Sequence, residues 1–401
     1  MNVYILTKNP FPYGMAATNR IKCYARAILS EKIDCKVIVW NYSDSHSQLP
    51  YKGVIEGIPY QFVGKSSRRA SCKYIGKIQS LILQLWLPFF LYKKVKKDDI
   101  ILSYGLGMNF YWRFLIYMVH KKNAYYIQEL CELPYGVTAE TTKTIKDREY
   151  YYKHLFPIFD GVIVISDALK DLAKKYCTPK CIIQKIPILV DYDEYNLSNN
   201  LFSSEYPYIF HSGTLYEQKD GILGMIEAFG IANQSLNHKI RFILTGTIEK
   251  SPHAGKIKVL IDKYQLHDLI HFTGYLSHEE LKEKLSQSSL VIINKYVTQQ
   301  NKYCFSTKLG EYMAAGKPII ITRVGEAMNW LTNDYDCIVV EPGDVKQMSE
   351  AIIKVFYDIE FSTKIANNSR RTCMNSFDYR NYGKSFADMF SSMIKITDKV
   401  V

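Results

Sequence analysis

Short apolar runs rich in β-branched residues alternate along the chain with segments of helical periodicity. The runs lie at residues 1–6, 34–40, 100–104, 124–128, 161–166, 181–186, 208–213, 240–245, 269–274, 290–294 and 318–322. Runs of this length that are apolar on both faces are typical of parallel strands covered by helices on both sides. The pattern therefore predicts an α/β protein with doubly wound parallel sheets.

A polar stretch at residues 191–207 interrupts this alternation. It predicts a linker between an amino-terminal Rossmann-like domain at 1–190 and a carboxyl-terminal one at 208–376. The final segment, 377–401, has the apolar spacing of an amphipathic helix.

Residues 304–318 read as a short helix of about ten residues between two strands. Ser306 suits its N-cap, and Gly316 followed by Pro318 suits its end. The expected inward stripe consists of Leu309, Tyr312 and Met313.

The start of this helix is a candidate anion site. A helix N-terminus at the carboxyl ends of parallel strands favours a phosphate group. Helical side chains lean toward the N-terminus, so the carboxylate of Glu311 is placed to clamp ribose hydroxyls there. The same spacing also allows a solvated ion pair between Glu311 and Lys308.

Two further loops follow predicted strands. Gly14 opens a helix whose inward stripe is expected at residues 21–29, with Arg20, Lys22 and Arg26 on its outer face. A single glycine is not a dinucleotide fingerprint, and an ordinary strand-to-helix turn is the alternative. The loop from Gly213 to residue 221 carries Lys219, which either reaches a diphosphate or is a solvated loop lysine.

Composition narrows the class of protein. The chain has 401 residues, 47% of them hydrophobic, and a formal charge of +12. Zinc-finger, helix-turn-helix and RNA-recognition signatures are not found, so nucleic acid is not the expected partner. The nine cysteines lack Cys-x-x-Cys pairs and the N-terminus lacks a basic leader, which favours a cytoplasmic protein without a bound metal.

Basic clusters flank an eleven-residue apolar run at residues 81–91, within the segment from Lys65 to Lys97. The run is shorter than the roughly twenty residues of a spanning helix. Its composition suits either a helix lying on an anionic membrane surface, peripheral on the inner face of the plasma membrane, or a partly buried core helix. Pro88 is expected to kink either version.

The stretch from Phe305 through Ser306, Thr307, Lys308 and Glu311 to residue 320 resembles the nucleotide-sugar motif of retaining GT-B glycosyltransferases of the large bacterial family four type, the glycosyl transferases group 1. The resemblance implies two Rossmann-like domains facing each other across a cleft, the first on the acceptor side, with the last helix crossing back to it. It assigns Glu311 to the ribose hydroxyls. The backbone of 305–308 is assigned to the donor diphosphate or sugar.

The same resemblance extends to other loops. Gly14 matches a glycine lying against the donor phosphate and sugar, and Gly213 and Lys219 match a phosphate-binding loop whose lysine neutralises the leaving group. Gly14, Lys219 and Glu311 are thus the implied catalytic residues. A glutamate that meets the sugar is replaced by Tyr303, which implies altered sugar recognition.

Two more departures from the family pattern concern charge and the acceptor side. An arginine of the phosphate loop is replaced by Thr214, leaving Lys219 to carry the charge unless Lys308 or Arg323 compensates. A histidine near the transferred sugar is missing, and Glu129 or Glu132 stands in its place, or neither contacts the sugar.

The resemblance implies a metal-independent hexosyltransferase without a cofactor. Its donor is a nucleotide sugar of UDP or GDP type, and its acceptor is a glycan or lipid-linked sugar of bacterial surface polysaccharide synthesis. Two alternatives remain open at this point. One is a sugar-nucleotide epimerase, and the other is a non-catalytic subunit that binds a partner transferase or a membrane.

Overall fold

Two parallel sheets, each in its own unit, dominate the computed structural model. It describes residues 1–42, 49–64, 66–68, 70, 72–105, 109–135, 141–195, 207–236 and 240–398. The first unit comprises residues 1–189, 303–305 and 379–401, and the second comprises 190–302 and 306–378. Much of the predicted linker, at residues 196–206, lies outside the described residues.

The sheet of the first unit has the strand order β3-β4-β2-β1-β5-β6-β7-β8. Its strands pair in parallel except for the antiparallel hairpin β3–β4. The strands are β1 (Asn2–Thr7), β2 (Asp34–Val39), β3 (Lys52–Ile55), β4 (Ile58–Phe62), β5 (Ile100–Tyr104), β6 (Tyr125–Leu130), β7 (Gly161–Val164) and β8 (Ile182–Lys185). The parallel strands predicted from the apolar runs are confirmed.

Helices cover this sheet. They are α1 (Ala16–Ser30), α2 (Lys73–Lys94), α3 (Asn109–His120), α4 (Thr142–His154) and α5 (Asp167–Tyr176). On α1 the predicted stripe is buried, with Ile21, Tyr24 and Ile28 fully enclosed against β1 and β2. The expectation that Arg20 lies on the outer face is wrong, because its side chain is 1% exposed and is held by three buried acceptors.

The second unit has the sheet order β11-β10-β9-β12-β13-β14, all parallel. The strands are β9 (Tyr208–His211), β10 (Arg241–Leu244), β11 (Ile270–Phe272), β12 (Leu290–Ile293), β13 (Ile319–Thr322) and β14 (Ile338–Val340). Its helices are α6 (Glu217–Asp220), α7 (Ile222–Ser235), α8 (Ala254–Tyr264), α9 (His278–Gln287), α10 (Gln299–Tyr303, whose last residue groups with the first unit), α11 (Thr307–Ala314), α12 (Val345–Tyr357) and α13 (Ile359–Ser376).

The predicted helix between β12 and β13 is α11, with eight residues rather than about ten. Ser306 occupies the N-cap position but its hydroxyl makes no capping hydrogen bond. Gly316 adopts the expected left-handed conformation with φ 63°. The three residues of the inward stripe are fully buried, as predicted: Leu309, Tyr312 and Met313.

The last helix, α14 (Gly383–Asp398), belongs to the first unit. Phe386 and Phe390 lie in the core of that unit, and the Phe386 ring meets the edge of Tyr24 on α1 with centroids 5.1 Å apart. The amphipathic pattern near the end of the chain thus supplies core side chains to the first sheet.

Candidate functional site

Asp220 is the central acceptor of a hydrogen-bond network in the loop that follows β9 in the second unit. It is 2% exposed. One carboxylate oxygen accepts from both the backbone N–H and the hydroxyl of Thr214 at 3.0 Å, and the other accepts from Lys308 Nζ at 2.7 Å. Burial opposes the charge on Asp220, but the Lys308 ammonium outweighs it and holds the pKa of Asp220 far below its usual range. The loop is therefore built around a permanently charged pair.

His211, the last residue of β9, lies beneath this pair. Its Nδ1–H donates to the carbonyl of Ile292 on β12 at 3.0 Å, an assignment that leaves Nε2 unprotonated. Nε2 is 3.9 Å from Asp220 Oδ1 and makes no hydrogen bond to the described part of the chain. Burial, reinforced by nearby Lys308, lowers the pKa of His211 to about 3. The imidazole is neutral at physiological pH.

Gly213 is required by this packing. A Cβ at Gly213 would collide with His211 Nε2 and lie 2.9 Å from Asp220 Oδ2. Its N–H donates to Thr245 Oγ1, beyond the end of β10, at 2.8 Å. The predicted phosphate-loop glycine thus lets the loop pass directly over a buried histidine and carboxylate.

Lysines gather around Asp220. Lys308 lies in the first turn of α11, and its side chain is 22% exposed. Lys219 is exposed on α6, and its backbone carbonyl accepts a hydrogen bond from Lys295 Nζ. Lys295 follows β12 and contributes to the lowered pKa values of both Asp220 and His211. Lys308 and Lys295 act on Asp220, and Lys219 precedes it in the chain, so three lysines and two carboxylates, Asp220 and Glu217, leave the region with a positive excess suited to a diphosphate.

The remaining acid of this loop is already engaged. Glu217 accepts from the N–H of Leu223 at 2.7 Å and from the phenol of Tyr296 at 2.6 Å. It therefore stabilises the start of α7, and both of its oxygens are held by these donors.

Neither predicted substitute for the missing arginine is an uncommitted cation. Arg323 pairs with Glu341 at 2.7 Å on an exposed surface, and Lys308 is held by Asp220. Thr214 has its hydroxyl on the same carboxylate. The positive charge that a phosphate would meet here comes from Lys219, Lys295 and the exposed part of Lys308.

Glu311 lies one turn along α11 and is half-buried. Its charge contributes to the raised pKa of His278, for which the larger cause is the hydrogen bond to Glu194 at 2.7 Å. The alternative pairing of Lys308 with Glu311 is not observed, because Lys308 turns to Asp220. Ser306 and Thr307 precede Lys308 at the same helix start.

The other predicted site residues belong to the first unit. Tyr303 is half-buried and Phe305 is 5% exposed. Gly14 precedes α1, where a Cβ would collide with the Thr18 hydroxyl that donates to Pro10. This contact is a structural reason for the glycine, whatever its role toward a ligand.

Of the two acids considered for the acceptor side, Glu129 is enclosed in a buried pair. Its Oε1 lies 3.1 Å from Arg20 Nε, while Arg20 also donates to the carbonyls of Pro187 and Ile186. Burial raises the pKa of Glu129 against the opposing effect of Arg20. Glu132 is exposed, so it is the acid of the two that a solvent-borne acceptor can reach.

Residues 194–372 match the family model of the glycosyl transferases group 1. The second unit therefore carries a domain of the group 1 glycosyltransferase type. The chain is 22% identical to the capsular polysaccharide biosynthesis glycosyltransferase CapM of Staphylococcus aureus, over 65% of this chain and 69% of that protein. It is 23% identical to the MMP α-(1→4)-mannosyltransferase of Mycolicibacterium hassiacum, over 35% of this chain and only a third of that protein.

Solved structures show that the chain has the GT-B fold. Sucrose-phosphate synthase from Thermosynechococcus elongatus superimposes with a TM-score of 0.74 at 14% identity, covering 99% of this chain and all of the other. Anabaena HepE in complex with UDP and glucose gives 0.70 at 15% identity, covering 98% and 100%. The predicted fold and family resemblance are confirmed.

Sequence reasoning missed three residues of the candidate site: His211, Asp220 and Lys295. His211 lies inside the predicted run at 208–213 and ends the observed β9, Lys295 directly follows the predicted run at 290–294, and Asp220 follows the predicted Lys219. A polar side chain at a strand end is the signal that points to His211 and Lys295. Within the described residues, no group of three or more His, Cys, Asp or Glu side chains is arranged to hold a metal ion.

Proposed function

We propose that this glycosyltransferase moves a hexose from a nucleoside diphosphate sugar to a glycan or lipid-linked acceptor, with retention at the anomeric carbon. The observation that carries the proposal is the Lys308–Asp220 pair at the first turn of α11, beside Lys219 of the loop after β9 and Lys295 after β12. Helix N–H groups and these ammonium groups together suit the negative charge that grows on a departing diphosphate.

In the proposed reaction the bond between the anomeric carbon and the donor phosphate oxygen breaks. The acceptor oxygen bonds to that carbon on the same face, and its proton passes to the leaving phosphate oxygen. The protein would act by positioning and charge stabilisation, so neither a protein base nor a metal is required. Glu311 would hold the ribose hydroxyls, with the backbone from Phe305 to Lys308 against the diphosphate or sugar.

We further propose that the donor is a UDP or GDP sugar and that the product enters a bacterial surface polysaccharide made on the cytoplasmic side. The similarity to a capsular polysaccharide glycosyltransferase supports the pathway class. The fold shared with HepE, whose structure holds UDP and glucose, supports the donor class. Gly14 and Tyr303 are proposed to contact donor phosphate and sugar, respectively.

A thermal-shift panel of nucleotides and nucleotide sugars tests the donor assignment. Ligand at about a hundred times its dissociation constant stabilises a protein by about 2.7 kcal/mol, so the preferred base and sugar stand out. The selected donor is then incubated with lipid-linked and oligosaccharide acceptors, with and without EDTA. We expect release of nucleoside diphosphate that depends on the acceptor and persists in EDTA.

Other outcomes point elsewhere. Conversion of the donor sugar without any acceptor would identify an epimerase. Stabilisation by no nucleotide, together with no turnover in the presence of acceptors, would favour a non-catalytic subunit. Loss of activity in EDTA that returns with a divalent cation would overturn metal independence.

A further inference from the structure

The solvent-facing side of α2 is apolar along most of its length. The exposed fractions of its large apolar side chains lie between 46% and 58% for Ile75, Ile78, Leu81, Ile82, Leu85 and Trp86. These positions recur at the spacing of one helical face. A soluble surface helix normally shows polar residues there, so this face is unusual.

The opposite side of α2 is anchored in the first unit. Leu87 and Leu91 are fully buried and Leu83 is 6% exposed. Among the described helices, the segment Tyr74–Lys94 of α2 is long and apolar enough to cross a membrane by length and composition. Only 28% of the most apolar part of this segment is buried inside the protein. It is longer than the predicted apolar run because Tyr74, Ile75 and Ile78 extend it. With one side packed on the protein, it is placed to lie along a bilayer surface.

Helix α3 widens the apolar surface. The Tyr111 hydroxyl donates to the carbonyl of Leu85, and the rings of Phe89 and Phe114 have centroids 6.1 Å apart. Phe110 and Tyr117 on α3 are 77% and 54% exposed. We call the exposed sides of α2 and α3 together the α2–α3 face.

The charges on the α2–α3 face have one sign. The sequences of Lys73–Lys94 and Asn109–His120 contain no Asp or Glu. Cations sit at its edges and stack on its aromatic rings: exposed Lys93 over Trp86 at 5.6 Å, exposed Lys121 over Tyr117 at 5.3 Å and half-buried Lys122 over Tyr92 at 4.3 Å. Of the two acids that follow α2, Asp99 is buried and accepts from the N–H of Asn2 and Lys96, and Asp98 is half-buried.

We infer that the α2–α3 face binds an anionic lipid bilayer, with its apolar side chains at the level of the acyl boundary and its lysines among the headgroups. Apolar area bordered by cations and aromatic rings matches the composition of such an interface. A protein partner or a second copy of the chain would bury the apolar area, but neither gives a reason for a uniformly positive rim. The inference does not depend on which sugar the enzyme transfers.

Flotation of the full chain with vesicles tests this inference. We expect binding to phosphatidylcholine vesicles that contain phosphatidylglycerol, weaker binding to pure phosphatidylcholine, and a decline as salt rises. The variant Lys93→Gln/Lys97→Gln should bind about fivefold more weakly for each lysine removed. Its matched control is Lys256→Gln/Lys258→Gln, which removes two exposed lysines from α8 of the second unit.

The apolar contribution is tested by Ile78→Ser/Ile82→Ser, with Val259→Ser/Ile359→Ser as the control at equally exposed apolar sites elsewhere. We expect loss of flotation in the first pair only, with unchanged thermal unfolding in both. Trp86 is 46% exposed, whereas Trp40 and Trp112 are buried. Its emission should therefore shift to shorter wavelength on vesicle binding, and Trp86→Phe should bind with little shift.

Equal flotation of the wild type and the two α2 variants would overturn the inference. So would equal, salt-independent binding to neutral vesicles, because the lysines would then have no role. A wild-type chain that ignores vesicles but dimerises in light scattering through Ile78 and Ile82 would make the face a protein contact instead.

Discussion

Lys308 Nζ lies 2.7 Å from a carboxylate oxygen of Asp220, which is almost completely buried at the end of the short helix α6 that follows β9. The pair joins the first turn of α11 to the loop after β9. Because Asp220 also accepts from the N–H and hydroxyl of Thr214, one carboxylate fixes both the lysine and the loop. Thr214 thus contributes a hydrogen bond where the related family loop has a charge.

Replacing Asp220 with Asn should destabilise the second unit. The amide is uncharged, so Lys308 loses its ionic partner, and one hydrogen bond of a buried set is weakened. We expect a loss of about 1–3 kcal/mol in the free energy of unfolding. Urea unfolding followed by circular dichroism measures it.

The control for this variant is Asp334→Asn. Asp334 pairs with Lys354 at 3.0 Å, but both side chains are about half exposed. An exposed pair contributes about 0–1 kcal/mol. Equal losses in the two variants would show that the burial of Asp220 has no special effect.

Asp220 also predicts a pH dependence. Its folded pKa is depressed, so its contribution is fully present above the unfolded pKa of about 3.9 and is lost only as pH falls below that value. The stability difference between wild type and Asp220→Asn should therefore be constant from neutral pH to about pH 5 and shrink in stronger acid. A difference that already shrinks between pH 7 and pH 6 would contradict this assignment.

His211 predicts a separate, milder-acid window. Its folded pKa is lowered to about 3 by burial, while the unfolded chain takes up a proton near pH 6.5. Stability should fall as pH drops below about 6.5, by up to about 1.4 kcal/mol per pH unit relative to His211→Gln. Because the charges of Asp220, Lys308 and Lys295 act on the ring, the free energy of unfolding of the wild type and of His211→Gln is compared at each pH at one fixed salt concentration.

Much of the fold follows from apolar periodicity, and its failures have local causes. The parallel strands are buried on both faces, so their β-branched runs are easy to recognise. The hairpin of β3 and β4 was missed because its strands alternate and lie at the edge of the sheet. Its turn residues, Glu56 and Gly57, both have positive φ. A Glu-Gly pair predicts such a turn only weakly.

Arg20 shows where a charge pattern misleads. An arginine in an amphipathic helix normally faces solvent, but Arg20 reaches Glu129 and two backbone carbonyls 166 and 167 positions away. That partnership depends on tertiary contacts that periodicity does not contain. The same applies to His211, Asp220 and Lys295, whose grouping depends on the ends of β9 and β12 meeting at one sheet edge.

Lys219 and Lys295 should contribute to phosphate binding and not to recognition of the nucleoside. Lys219→Gln and Lys295→Gln are each expected to weaken binding of the nucleoside diphosphate selected by thermal shift by about 1–2 kcal/mol. Binding of the corresponding nucleoside, which lacks phosphate, should stay unchanged. Titration calorimetry measures both ligands, and Lys256→Gln serves as the control lysine.

Glu311 gives the sharpest test of the donor site. Glu311→Ala should cost about 1–3 kcal/mol of nucleotide affinity as a lost charged hydrogen bond. The same substitution should reduce the affinity for the 2′-deoxy nucleotide by less, because one of the two hydroxyls that the carboxylate would hold is already missing from that ligand. Glu350→Ala on α12, at an exposed position, should leave both affinities unchanged. If Glu311→Ala binds the ribonucleotide as tightly as wild type in calorimetry, the carboxylate does not hold the ribose, and its proximity to His278 becomes its main role.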